Sequence, residues 1–473
     1  MALNNKISKK LQKDYIKEKK NKQKKNIKKE KNKKESIKNK NIKNKSIKNN
    51  NIKRNIIKNI EIKTKEINKD NKNYISENYK IENKPMNELK KIKLLFILPS
   101  TTIGGAEVQA SYLLNGLDKS KFEIYCGLLY KNNALQESFS NENIKIISFN
   151  KKSESDIFVY FRILDFIKKN NIDIIQTFLG NHHAYLPYYF FNSKKNHNKL
   201  KCILGIRASS ERRGFFLDLM KFKPLLFISN SNRAKKIYVE NKVPEKNILV
   251  IENGIDLNKF NKKFDKKKIK SEFFLRDEDF LIGMVARLME SKNQILLIEI
   301  LAKLKNSFEY SDLRKELKNK FNIHNIKLLI VGDGPNRKNL ENRIKELQLE
   351  KEVILTGSRK DIPELMSIMD VFAFPSLFPE GWPNVIGEAM ASGLPIIAYN
   401  KGDIKEILIN NFDGIITETN PEIFEKKLVE LILNEKLRKK ISENALKSVQ
   451  KFSLKNMIKK YEDVYLNYED YVK

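Results

Sequence analysis

From residue 91 onward the chain alternates short, nearly continuous apolar runs with stretches of helical period. The runs fall at 92–98, 122–129, 144–149, 172–177, 202–206, 225–228 and 248–251. After an irregular, charged connection at 256–279 they resume at 281–286, 327–331, 353–356, 371–375 and 395–399. Runs that lack polar/apolar alternation suit strands buried on both faces, and their alternation with helices predicts parallel sheets covered on each side. The pattern therefore predicts an α/β protein of two facing, Rossmann-like, doubly wound domains at 91–262 and 263–455. Such sheets bind ligands in the cleft at the carboxyl ends of their strands. Past residue 421 the period turns helical, with Leu428, Leu431 and Leu433 and later Met457, Tyr461 and Tyr465 at packing positions. A closing helix at 456–473 is expected to pack back on the first domain.

Residues 1–90 break this pattern. They hold 30 lysines and arginines against 10 acidic residues, which is +20 of the chain's formal +35, with no glycine and near-repeats such as Ser-Ile-Lys-Asn at 36–39 and 46–49. Too little apolar surface is present to offset chain entropy, so a disordered, basic, low-complexity tail is expected. Two readings of it stay open. One is a polybasic arm drawn to anionic surfaces, at about 1 kcal/mol for each lysine close to a membrane; the other is a solvated extension with no partner. Aromatic residues for stacking on bases are nearly missing from it, so no nucleic-acid partner is expected.

Cys126 and Cys202 are the only cysteines and have no metal-site spacing. No stretch approaches the roughly 20 apolar residues of a spanning helix, and the N-terminus is too polar for a signal peptide. A cytoplasmic protein is expected, with peripheral contact at the inner face of the cytoplasmic membrane as a further option.

Candidate chemistry sits where strands end. The first run leads into Pro-Ser-Thr-Thr-Ile-Gly-Gly-Ala-Glu at 99–107, ahead of an apolar helix. Gly104 and Gly105 let a backbone approach a ligand closely, and amides at a helix N-terminus favour a diphosphate; a plain tight turn is the competing reading. The second domain opens with Gly-Met-Val-Ala-Arg-Leu-Met-Glu-Ser-Lys-Asn at 283–293, where Arg287 and Lys292 can converge on one pyrophosphate or remain solvated surface charges. The turn Gly332-Asp333-Gly334-Pro335 follows the next strand and is individually nonspecific. The most informative stretch is Phe-Pro-Glu-Gly-Trp-Pro-Asn-Val-Ile-Gly-Glu at 378–388. It places Glu380 in a loop and Glu388 on a helix closed by Gly393, so two carboxylates can accept hydrogen bonds from sugar hydroxyls.

In this order, the Gly-Gly-Ala-Glu loop, the Arg-Leu-x-x-x-Lys-Asn segment, the Gly-Asp-Gly-Pro turn and the Glu-x7-Glu helix resemble the retaining glycosyltransferases of family four, which have the GT-B fold. The resemblance covers about residues 91–455. It implies that Arg287 and Lys292 bind the donor diphosphate, that Glu388 holds the ribose hydroxyls, and that Glu380 contacts the donor hexose near the amides of Gly381 and Trp382. Gly104 and Gly105 would approach the diphosphate from the first domain. Members act without a metal, and no cofactor beyond the nucleoside diphosphate sugar as co-substrate is implied. Retention would follow from departure of the diphosphate and attack by the acceptor on the same face, with Arg287, Lys292 and Glu380 as the catalytic set.

One departure concerns the residue after run 202–206, where many relatives have a histidine and this chain has Arg207. Arg207 and His183, the latter beside His182 after run 172–177, are carried as candidate acceptor or sugar contacts. A lone histidine is more often structural. The mixed apolar and cationic segment 212–221 suits either a membrane surface or interior packing.

The resulting expectation is transfer of a hexose or N-acetylhexosamine to a surface glycan on a lipid carrier, as in polysaccharide biosynthesis for the cell envelope. The alternatives are the same fold acting on a soluble sugar or sugar phosphate, as sucrose and trehalose synthases do, or a binding protein for anionic surfaces driven by the basic tail.

Overall fold

A computed structural model describes residues 90–99, 104–130, 139, 143–193, 199–207, 225–306 and 325–472. The basic tail at 1–89, the loop residues 100–103 and the segment 212–221 lie outside the described residues.

The first domain runs β1 (Ile92–Leu98), α1 (Gly105–Gly116), β2 (Phe122–Leu128), β3 (Ile144–Ser148), α2 (Phe158–Asn170), β4 (Ile174–Thr177), α3 (His182–Asn192), β5 (Lys201–Ile206), β6 (Leu226–Ser229), α4 (Asn232–Glu240) and β7 (Ile248–Val250). Its sheet is ordered β3-β2-β1-β4-β5-β6-β7, parallel throughout. Residues of β1 show why the run is continuously apolar. Leu94, Phe96 and Leu98 enter a core with Leu113 and Leu114 of α1, while Leu95 and Ile97 enter the core on the opposite face with Ile163 and Ile167 of α2. A strand covered on both faces has no solvent side on which to place polar residues.

The second domain runs β8 (Phe280–Val285), α5 (Gln294–Asn306), β9 (Ile326–Val331), α6 (Arg337–Glu346), β10 (Val353–Leu355), β11 (Val371–Phe374), α7 (Asn384–Ala391), β12 (Ile396–Tyr399), β13 (Ile415–Thr417), α8 (Pro421–Leu433) and α9 (Glu435–Ser448), with shorter helical turns between. Its order is β10-β9-β8-β11-β12-β13, again parallel. Each sheet reverses strand order once, between β1 and β4 and between β8 and β11, and those reversals open the crevices in which doubly wound sheets take ligands. Twelve of these thirteen strands coincide with the apolar runs of the sequence. β13 does not, because its apolar content is Ile415 and Ile416 alone, set between Gly414 and Thr417.

The chain crosses between domains twice, side by side. Ile255 donates its amide to the Phe452 carbonyl at 2.8 Å, and Leu454 donates to the Ile255 carbonyl at 3.0 Å. Ile255 and Phe260, ahead of residue 263, already pack in the second domain's core. After the return crossing, Ser453 caps α10 (Leu454–Leu466), whose Met457, Tyr461, Val464 and Tyr465 join the first domain's core beside α1. Tyr465 donates to Oε1 of Gln176 on β4 at 2.7 Å, and Tyr468 to the Cys202 carbonyl on β5 at 3.1 Å. Among the described residues no helix is long and apolar enough to cross a membrane. Both cysteines are buried free thiols whose pKa burial pushes up.

Candidate active site

A cleft of about 340 Å³ lies between the carboxyl edges of the two sheets. The first domain contributes Gly105 and Ala106 after β1, Arg207 after β5, Asn230 after β6 and Asn253 after β7. The second contributes Val285 at the end of β8, Ala286 and Lys292 beyond it, Phe374 at the end of β11, and residues 380–385 beyond that.

Lys292 and Glu380 meet on this wall. The Nζ of Lys292 bonds Oε1 of Glu380, which also accepts from Ser376 Oγ at 3.0 Å, and the ammonium lies 5.5 Å from the Phe374 ring centre. The loop holding Glu380 is fixed from behind by residues of the β12 connection. Asp403 donates its amide to the Glu380 carbonyl at 3.1 Å, and a Cβ on Gly402, where φ is +62°, would stand 1.9 Å from that oxygen. A residue with a side chain there would clash with the backbone that carries Glu380.

Opposite this pair, Arg207 is held flat against Phe178, its guanidinium carbon 3.6 Å from the ring centre. It donates to Oδ1 of Asn253 and, at 2.7 Å, to the Tyr461 hydroxyl. No carboxylate pairs with it among the described residues, and burial pulls its pKa down. Asn253 in turn donates to Oδ1 of Asn384 at 2.7 Å, so one chain of hydrogen bonds runs from the α10 helix through the first domain to the start of α7. Three polar atoms of the wall are buried without a hydrogen-bond partner: Nε of Arg207, Oδ1 of Asn230 and Nε1 of Trp382. Buried polar groups of this kind mark where a ligand can complete the bonding.

The remaining sequence candidates lie off the wall. Arg287 follows Ala286 but is exposed and is not part of the cleft lining. Its loop rests on the Gly-Asp-Gly-Pro turn, where Leu288 donates to the Asp333 carbonyl at 3.0 Å and Asn336 donates to the Leu288 carbonyl at 3.1 Å. That turn supports the cation-bearing loop from beneath. Gly104 spends its amide within its own loop, on Oε2 of the buried Glu107 at 3.1 Å, whereas Gly105 faces the cleft and lies against Asn384. Glu388, one turn past Asn384 on α7, has its pKa pushed up to about 7 by burial, a rise that nearby Lys259 opposes. The Tyr112 hydroxyl of α1 is driven to about 12 by burial and by the Glu388 charge.

His183 is buried, bonded through Nδ1 to the Gly180 carbonyl at 3.1 Å and covered by Tyr160 at 5.7 Å between ring centres. Burial, with the charges of His182 and Lys151, drops its pKa to about 3, so it is a neutral imidazole. Asn230, Asn253 and Asn384 were not legible as site residues, since single asparagines at strand and helix ends are also ordinary turn formers.

A second bridge spans the domains beside the cleft. The Glu406 carboxylate accepts from the amides of Asn232 and Arg233, both at 2.8 Å, at the N-terminus of α4. Arg233 also lies 3.6 Å from Oδ1 of the buried Asp403. Negative charge at a helix N-terminus is favourable, and here donor and acceptor belong to different domains.

Two doubly wound parallel sheets with a polar, cation-bearing cleft between their carboxyl edges define the GT-B class of glycosyltransferase. The sequence agrees: the model of "Glycosyltransferase Family 4" matches residues 103–259 and that of "Glycosyl transferases group 1" matches residues 265–448. The chain belongs to the group 1, family 4 type of glycosyltransferases. It is 32% identical over 237 residues to the Escherichia coli UDP-Gal:alpha-D-GlcNAc-diphosphoundecaprenol alpha-1,3-galactosyltransferase, a match that takes in 49% of this chain and 56% of that protein. The chain thus spans little more than half the length of that relative. It is 26% identical over 364 residues to the Campylobacter jejuni N-acetylgalactosamine-N,N'-diacetylbacillosaminyl-diphospho-undecaprenol 4-alpha-N-acetylgalactosaminyltransferase, covering 73% of this chain and 92% of that one. The crystal structure of Anabaena HepE in complex with UDP superimposes with a TM-score of 0.66 at 20% identity, covering 79% of this chain and 99% of the other.

Proposed function

We propose that the cleft holds a nucleoside diphosphate sugar and that the protein transfers its hexose or N-acetylhexosamine, with retention and without a metal or other cofactor, to a surface-glycan acceptor carried on a lipid diphosphate. The observation that carries this reading is the meeting, in one cleft, of the Lys292–Glu380 pair from one domain with Arg207 from the other, which has no carboxylate partner among the described residues. The names of the E. coli and C. jejuni relatives specify diphosphoundecaprenol-linked acceptors, and HepE was crystallised with UDP; both support the choice of substrates.

In this mechanism the diphosphate leaves while the acceptor hydroxyl approaches the same face of the sugar. Lys292 and Arg287 stabilise charge as it grows on the leaving group, the kind of preorganised electrostatic help worth about 10²- to 10³-fold for a single donor. Glu380 exchanges part of its bond to Lys292 for a sugar hydroxyl, and Ser376 keeps it oriented. Glu388 accepts from the ribose hydroxyls in its ionised form. Gly105 brings the first domain's backbone against the diphosphate.

The test uses full-length protein, UDP-linked hexoses and N-acetylhexosamines, and a polyprenyl diphosphate-linked acceptor sugar, with the anomeric configuration of the product read by NMR. Transfer with the donor's own configuration is expected, and Lys292→Ala should lower kcat by about 10²-fold or more. A Lys292→Ala protein that transfers sugar at the wild-type rate sinks the assignment.

A further inference from the structure

The first domain carries a contiguous exposed apolar patch that its fold does not require. Helix α2 buries Val159, Ile163 and Ile167 against the sheet, the i, i+4, i+8 stripe that docks it. On its other side Phe158 is 66% exposed and Phe161 55% exposed, and Ile157, just before the helix, is 60% exposed. Phe190 of α3, 45% exposed, stacks on Phe161 with ring centres 6.3 Å apart. Single exposed apolar residues are ordinary, but large ones joined side to side on two adjacent helices mark an interaction surface.

The charges around it select the kind of partner. Lys151 and Lys152 precede the patch and Lys168 follows it on α2, with Lys151 lying 5.7 Å from the Tyr130 ring centre. Of the acids between 151 and 170, Asp156 is taken by Arg162 at 2.6 Å and Asp165 by Lys169 at 2.8 Å. That leaves Glu154 against Lys151, Lys152 and Lys168. Protein interfaces are depleted in lysine, whereas aromatic side chains rimmed by lysine suit the headgroup region of an anionic bilayer.

Topology places the patch usefully. Helix α2 starts after the carboxyl end of β3, so Phe158 and Phe161 in its first turns stand at the sheet edge that opens onto the cleft. Tyr160, between them, stacks toward His182 and His183 at the start of α3, after the carboxyl end of β4.

We propose that Ile157, Phe158, Phe161 and Phe190 insert into the surface of an anionic membrane and set the cleft over it. The inference rests on the lipid-carried acceptor proposed above, and it names the surface by which such an acceptor would be reached.

The experiment is co-sedimentation of the full chain with vesicles of phosphatidylglycerol and phosphatidylcholine, at about 0.1 M and about 0.5 M salt, since the higher salt shortens electrostatic reach to a few ångströms and leaves apolar insertion in place. Wild-type protein is expected to stay bound at the higher salt. The double variant Phe158→Ser with Phe161→Ser is expected to bind about tenfold more weakly there, with an unchanged melting temperature and unchanged transfer to a short-chain, water-soluble acceptor. Phe190→Ser, on the other helix, should weaken binding in the same direction. Equal sedimentation of wild type and both variants at high salt overturns the proposal. So does light scattering that shows a wild-type dimer, lost in the variants, with no vesicle binding. Patch-dependent vesicle binding by an enzyme that uses only soluble acceptors would uphold the surface and retire the lipid-carried acceptor.

Discussion

Replacing Glu388 by glutamine should stabilise the protein at alkaline pH and hardly at all at acid pH. Burial raises this carboxyl from the ordinary 4.5 to about 7, so the fold prefers it protonated. A group with a raised acid pKa favours the folded state fully only below its unfolded value, and that preference is lost as pH climbs from about 4.5 to about 7. At about 1.4 kcal/mol per pKa unit, the ionised wild type at pH 8 gives up roughly 3 kcal/mol relative to a neutral isostere, falling to under about 1 kcal/mol at pH 5. Partial access of water to the side chain cuts the larger figure to about 2 kcal/mol. Urea unfolding of wild type and Glu388→Gln at both pH values measures the difference directly. The same variant should bind the donor more weakly at pH 8, because an amide accepts fewer hydroxyl hydrogen bonds than a carboxylate. A stability difference that is equal at pH 5 and pH 8 would refute the reasoning, since it would mean that Glu388 carries the same charge at both.

Two further outcomes follow from the interdomain contacts. Glu406→Ala removes two charge-assisted bonds that hold the start of α4 to the second domain; a loss of about 2 kcal/mol in closing the cleft is expected, read as a KM for donor raised roughly tenfold or more with little change in kcat. Gly402→Ala forces a side chain into the Glu380 carbonyl at a positive φ and should cost about 3 kcal/mol or abolish folding; a soluble, fully active Gly402→Ala enzyme would show that the Glu380 loop is not held as described.

Most of the sheet architecture was legible because a strand covered on both faces has to be apolar at every position, as β1 is from Leu94 to Leu98. The short β13 escaped because it offers only two adjacent apolar residues, Ile415 and Ile416, between Gly414 and Thr417. Within the cleft, Lys292, Glu380, Gly381 and Trp382 come from two short stretches whose spacing is visible in one dimension. The surroundings of Arg207 are not: Phe178, Asn253 and Tyr461 arrive from as far as 254 residues away. The burial of His183 beneath Tyr160 likewise depends on how α2 and α3 pack, which sequence spacing does not encode. Arg287 and Glu388 were read from motif position alone; Arg287 is exposed, Glu388 is half-buried, and neither is part of the cleft lining.

The helix α10 has a consequence for how the molecule is made. Met457, Tyr461, Val464, Tyr465 and Tyr468 complete a core whose earlier members, from Leu94 to Ile251, leave the ribosome hundreds of residues before them. The amino-terminal sheet must therefore wait, with one flank uncovered, until translation has passed the whole second half. Tyr461 also steadies Arg207, so a nascent or clipped polypeptide lacking α10 would have neither a sealed amino-terminal half nor a fixed guanidinium, and synthesis through α10 becomes a precondition for chemistry.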